Sequence, residues 1–150
     1  MTALLTETRD AIKILSINDA PINRMSLAFM DELEAEVESI AADDSIRAVV
    51  LTGDGDKNLS VGMDLKQLPE GIKQKGSEEA VFNQRLNVIR AIETMGKPWV
   101  ATLFGYCLGG GLELPLGCHF RLAAEEGAQI VPAGTGSGRE AGMGWQCTPH

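Results

Sequence analysis

Gly105-Tyr-Cys-Leu-Gly-Gly-Gly-Leu-Glu113 follows a strand-like run, Trp99-Val-Ala-Thr-Leu-Phe104, and opens a helix-compatible segment from Leu112. Three consecutive glycines clear the backbone of side chains, so a ligand can approach its amides closely. A helix start leaves free N–H groups, which favour incoming negative charge. Glu113 stands one step past the Gly110-Gly111-Leu112 bend. An anion-stabilising backbone beside a candidate acid/base is the minimum equipment for chemistry on a carbonyl.

Working outward, a second Gly-centred bend, Asn58-Leu-Ser-Val-Gly-Met-Asp-Leu65, comes earlier in the chain. It follows the buried-strand pattern Arg47-Ala-Val-Val-Leu-Thr52 and the turn Gly53-Asp-Gly-Asp56. Upstream, the β-branched run Ala11–Ile17 reads as a strand and Asn18–Pro21 as a turn. Ser26 is a helix cap, with Met30, Leu33, Val37 and Ile40 at helical spacing behind it. The acids Asp31, Glu32, Glu34, Glu36 and Glu38 form that helix's solvated face. Leu65 to Gly76 reads as a mobile polar loop. Ser77 caps a second amphipathic helix with Val81, Phe82, Leu86, Ile89 and Ile92 on its buried side, and Gly96-Lys-Pro98 stops it. Cys118–Ala124 is the last strand pattern. The order is α/β. From Val131 the chain is Gly-rich with no apolar period, which reads as an irregular tail.

The two bends, in this order and each after a strand, resemble the paired signatures of the crotonase family, the enoyl-CoA hydratases and isomerases. Leu59, Ser60, Val61, Gly62, Met63 and Asp64 match the first signature, and Gly105 to Glu113 match the second. The resemblance implies a crotonase-like spiral of strand-strand-helix repeats over residues 1–130, incomplete at the C-terminus. Residues 131–150 form a tail unrelated to the family pattern. It implies an acyl-CoA thioester as substrate, hydration of a 2-enoyl-CoA as the reaction, and an oxyanion hole made by the backbone N–H groups of Met63 and Gly110. Glu113 is then the catalytic carboxylate, and Val61, Gly62, Asp64 and Gly109 complete the substrate-binding set. Coenzyme A enters as part of the substrate, and no separate cofactor is implied. Homotrimers or hexamers are the family's assemblies.

The match stops near Ile130, where relatives carry a second catalytic glutamate. Val131-Pro-Ala-Gly replaces that segment, and Glu140 has no matching context. A truncated or frame-shifted product is the expectation, with apolar surface left exposed. The alternatives are another crotonase reaction (isomerase, hydrolase or dehalogenase) or an inactive acyl-CoA-binding remnant.

Other residues carry plainer readings. Asp64 is structural as well, holding its loop through side-chain to backbone bonds. Arg24 and Lys57 are solvated loop cations within conceivable reach of coenzyme A phosphates. Tyr106 and Trp99 pack in the core. Pro115 is tolerable within a first helical turn. Cys118 and His119 face opposite sides of a strand and cannot act on one atom, so His119 is a satisfied, partly buried histidine. With two histidines in the chain and no HExxH, a His-rich metal site is excluded. Cys107, Cys118 and Cys147 lack metal or redox spacing and read as reduced thiols of a cytoplasmic protein.

The 150-residue chain carries a net charge of −8, which argues against nucleic-acid and anionic-membrane partners. Met1 to Asp10 has neither the basic start nor the apolar core of a signal peptide.

Overall fold

The apolar runs become the strands of one twisted layer, with helices covering it. The computed structural model describes residues 1–133. β1 (Leu4–Arg9), β2 (Ile12–Ile17), β4 (Ala48–Gly53), β6 (Trp99–Leu103) and β8 (Phe120–Ala123) form a five-stranded sheet in the order β1-β2-β4-β6-β8. β1 pairs antiparallel with β2, and every later pairing is parallel. Four shorter strands make two small parallel ladders: β3 (Arg24–Met25) with β5 (Gly62–Met63), and β7 (Tyr106–Leu108) with β9 (Gln129–Val131).

Long strand, short strand, helix is therefore the repeat. β2 and β3 lead into α1 (Leu27–Ala42), and β4 and β5 lead into α2 (Leu68–Lys75) and α3 (Glu78–Thr94). β6 and β7 lead into α4 (Gly110–Leu116). This is the strand-strand-helix spiral that the resemblance implies.

Ser26 caps α1 by accepting the Phe29 N–H at 3.1 Å, so the helix starts where its cap residue dictates. Phe29, Met30, Leu33, Val37 and Ile40 form its buried stripe. They pack on Leu15, Ile17, Val49, Leu51 and Trp99 of the sheet. Each such side chain contributes about 1.5–3 kcal/mol on burial, so this α1–sheet contact anchors the fold.

Several expectations need correction. The polar stretch after Leu65 is not a loop. A 3-10 turn, Leu65–Gln67, is capped by the Asp64 carboxylate, and α2 follows with Pro69 in its first turn. Gly71 seats α2 against Leu27 and Val81, where a Cβ would stand 2.8 Å from Leu27 Cδ2. A helix short of apolar residues thus forms because a small residue permits close packing.

The buried stripe of α3 is Val81, Arg85, Val88 and Ile92, whereas Leu86 is 54% exposed. Tyr106 is also exposed, unlike Trp99, which is fully buried as expected. His119 is exposed rather than partly buried, although its Nδ1 accepts the Trp99 N–H at 3.0 Å. Pro115 lies near the end of the seven-residue α4, past its first turn. There the missing N–H interrupts a helix that stops one residue later.

Val131 ends β9, so the irregular segment does not begin there. The rest of that segment, from residue 134, lies outside the described residues, as do Glu140, Cys147 and His150. Phe120 and Leu122 on β8 are about 60% exposed (60% and 63%), which meets the expectation of bare apolar surface on that side. Among the described residues no helix is long and apolar enough to cross a membrane.

Candidate active site

The two Gly-centred segments lie side by side. Leu59 N–H donates to the Phe104 carbonyl at 2.9 Å, Ser60 N–H to that of Tyr106 at 3.0 Å, and Leu108 N–H to that of Ser60 at 3.0 Å. Glycine makes this approach possible. A Cβ on Gly62, whose φ is +98°, would stand 2.7 Å from the Leu108 carbonyl oxygen and 3.3 Å from the Gly110 nitrogen. No L side chain fits at that distance or adopts that φ without strain.

Alternate amides of a strand face opposite sides. Asp64 N–H is directed at the Met25 carbonyl on β3 at 3.0 Å, so the Met63 amide faces away from β3. At the other segment, Leu112 and Glu113 N–H both turn back to the Gly109 carbonyl, at 2.9 and 3.0 Å. The amides of Gly110 and Gly111 precede that turn and lie beyond the reach of intrahelical acceptors.

Between these amides lies a cavity of about 330 Å³. Val61, Gly62, Met63 and Leu65 form one side, and Gly109, Gly110 and Glu113 another. Phe82 and Arg85 of α3 close it from the helical layer, and Ala133 sits at its edge. Six of the seven residues singled out from the sequence therefore line one space. Asp64 does not. Its carboxylate accepts Lys66 N–H and Gln67 Nε2, both at 3.2 Å, so it holds its own loop. Arg24 pairs with Asp19 at 2.7 Å and Lys57 approaches Asp56 at 3.7 Å, and neither lines the cavity.

A buried neutral network fixes the first segment. The Ser60 hydroxyl donates to the Asn23 carbonyl at 2.6 Å and accepts Gly62 N–H at 3.0 Å. Asn23 Nδ2 donates to the carbonyls of Asp54 and Asn58 at 2.9 and 2.8 Å. Both residues are wholly buried, and a satisfied buried network specifies one geometry.

Sequence reasoning missed Arg85. Its Nη2 bonds to Glu113 Oε2, and its side chain is 8% exposed against 39% for Glu113. Burial pulls its guanidinium below the ordinary arginine range, and the Glu113 carboxylate pulls it partly back. Its Nε–H is buried with no partner among the described residues. The signal was present: Val81, Arg85, Val88 and Ile92 keep helical spacing, which puts a cation in the core stripe. Phe82 and Leu86 drew the apolar face one position too far round. Burial also pushes the Cys118 thiol up to about 12, and Cys107 upward too, so neither is poised as a nucleophile. Among the described residues no group of three His, Cys, Asp or Glu could hold a metal ion.

The arrangement offers backbone donors and one carboxylate around a space of small-ligand size. Comparison with known proteins gives the family of the chain. Residues 12–135 match the family model described as enoyl-CoA hydratase/isomerase. A probable enoyl-CoA hydratase of Bacillus subtilis is 30% identical over 134 residues, covering 88% of this chain and 50% of that protein. The fatty acid oxidation complex subunit alpha of Shewanella baltica is 34% identical over 130 residues, covering 85% of this chain and 18% of that protein.

Among solved structures, Pseudomonas aeruginosa DspI superposes with a TM-score of 0.77 at 30% identity, covering 88% of this chain and 53% of that one. An enoyl-CoA hydratase of Geobacillus kaustophilus gives 0.76 at 26% identity, covering 88% and 50%. The chain thus spans about half the length of the Bacillus subtilis relative and of these two structures. With its signatures, its spiral of repeats and these relatives in agreement, the chain belongs to the enoyl-CoA hydratase/isomerase family, the crotonases.

Proposed function

We propose that the cavity binds a 2-enoyl-CoA thioester and adds water across its conjugated double bond. The observation that carries this reading is the convergence of the Met63 and Gly110 backbones with Glu113 on one cavity. Attack of the water oxygen at C3 pushes electrons onto the thioester oxygen, and two fixed amides stabilise the enolate without reorganising. One such donor is worth about 3 kcal/mol in the transition state. Glu113 takes the proton from the attacking water. Among the described residues no second carboxylate lines the cavity, so the proton on Glu113 is the one at hand for C2 as the enolate collapses. Coenzyme A binds as part of the substrate.

The single lining carboxylate also favours a second reading. Double-bond isomerisation needs one base beside an oxyanion hole, to move a proton from C2 of a 3-enoyl thioester to C4. Product analysis with 2-enoyl- and 3-enoyl-CoA separates the two. In the hydration reading, Glu113→Gln removes turnover of the 2-enoyl substrate while leaving thioester binding measurable by calorimetry. Binding without turnover in the unsubstituted chain would sink both enzymatic readings and leave an acyl-CoA-binding protein. A Glu113→Gln variant as fast as the unsubstituted chain would remove Glu113 from the chemistry.

A further inference from the structure

The cavity holds one cation among its described lining residues, and the proposed hydration gives it no task. Arg85 points inward from the core stripe of α3, an expensive place for a guanidinium. It is also wedged. A Cβ on Gly110 would stand 2.7 Å from its Nη2 and 2.9 Å from its Cζ, so the group packs closely against the turn that carries the Gly110 amide. From there it takes Glu113 by Oε2. No protein group bonds Glu113 Oε1 among the described residues, and more than a third of that side chain meets solvent. Without Arg85, the Glu113 carboxylate is free to turn out into water.

We propose that Arg85 is a positioning residue. It holds Oε2 so that Glu113 stays turned into the cavity beside the Met63 and Gly110 amides, and it leaves Oε1 as the oxygen that exchanges the proton. This inference rests on the reading of Glu113 as the working carboxylate. In this role the guanidinium itself moves no proton. Its effect comes through Glu113 alone.

That dependence is measurable as non-additivity, since residues acting as a unit lose their separate effects when one is already gone. The experiment is steady-state kinetics on 2-enoyl-CoA for the unsubstituted chain, Arg85→Met, Arg85→Lys, Glu113→Gln and the Arg85→Met/Glu113→Gln pair. Misplacing a reacting group by about 1 Å costs about 100-fold, so Arg85→Met is expected to lose kcat on that scale with KM little changed. Arg85→Lys should recover part of the loss, because it restores a donor on a flexible stem. The double variant should be no slower than Glu113→Gln alone.

An Arg85→Met loss that persists in full on the Glu113→Gln background would overturn the proposal while leaving the role of Glu113 intact. So would an Arg85→Met chain as fast as the original. Full activity in Glu113→Gln, or no turnover by the unsubstituted chain, would instead remove the reading underneath, and the proposal would fall with it. If Arg85→Met does not fold, Arg85→Gln serves in its place under the same criteria.

Discussion

The two walls of the cavity are held in opposite ways. On the Ser60–Met63 side every polar group of the Asn23–Ser60 network is neutral and paired, from Asn23 Nδ2 to the Gly62 N–H. On the Arg85–Glu113 side one buried cation leans on one partly exposed carboxylate, and its Nε–H has no partner among the described residues. A satisfied neutral network fixes geometry at low cost, whereas a charge pair of unequal burial is stable only while both members are present. One wall is therefore rigid and the other adjustable.

Glycine substitutions probe the contrast most strongly. Gly62→Ala would set its Cβ against the Leu108 backbone carbonyl at 2.7 Å and force an L residue to φ +98°. Neither can relax, so a loss of about 3 kcal/mol is expected by urea unfolding, the sum of a strained backbone and an overpacked contact. At Gly110 the obstacles are Arg85 Nη2 and Met25 Cε, the far ends of flexible side chains. Gly110→Ala should therefore be accommodated by movement of side-chain ends at a smaller cost than Gly62→Ala, and lose turnover because Arg85 is displaced from Glu113. Equal destabilisation by the two substitutions would erase the distinction between a rigid and an adjustable wall.

Within the charged wall, burial sets the order of effects. Glu113→Ala leaves a guanidinium 8% exposed with no counter-charge, and about 3 kcal/mol of stability should go with it. Arg85→Met leaves a carboxylate that already meets solvent, so its stability cost should be well under half of that. Thermal or urea unfolding of both variants checks the asymmetry, and the reverse order would mean that Glu113 is the more desolvated partner.

On the neutral wall, Ser60→Ala strips the Gly62 N–H of its acceptor. An unsatisfied buried donor costs about 1–3 kcal/mol. The loss should be the same at low and high salt, because the groups of this network are neutral and buried. A salt-dependent effect at Ser60 would show that the two walls are electrostatically joined.

Both Gly-centred bends and Glu113 were legible in the sequence and Arg85 was not, for a physical reason. Gly62 and Gly111 mark positions where only an absent side chain lets two backbones meet, and that signal survives in a single chain. The apolar spacing of α1 is similarly direct, since Met30, Leu33, Val37 and Ile40 have only core to occupy. Arg85 was hidden because a charged residue reads as solvent-facing by default. Its burial depends on a partner from another element, Glu113. The region after Leu65 misled for a related reason: α2 is sparse in apolar residues and rests on a glycine contact with Leu27. The β8–β9 edge, with Phe120, Leu122 and Ile130 exposed, reads equally well as strand whether covered or bare.

The smallest effect belongs at the rim of the neutral wall, where a charge does touch it. Asp19 accepts Arg24 Nε–H at 2.7 Å and holds Asn23 through two backbone contacts, Asn23 N–H to the Asp19 carbonyl at 2.7 Å and Asp19 N–H to Asn23 Oδ1 at 3.2 Å. The Arg24 hydrogen bond keeps the Asp19 carboxyl below the usual carboxylate range. A carboxyl lowered in the folded state contributes stability above its unfolded value, near pH 4, and loses it as pH falls through that region. Asp19→Asn should therefore be slightly less stable than the original at neutral pH and equal to it in acid. Both side chains of the pair are more than a third exposed, so solvent screens the interaction and the difference should be the least of the four. Urea midpoints at neutral and acid pH for the two proteins read it directly. A large difference at neutral pH that vanishes in acid would mean that the Ser60–Asn23 network depends on the Asp19 charge, and that the cavity has two charged walls rather than one.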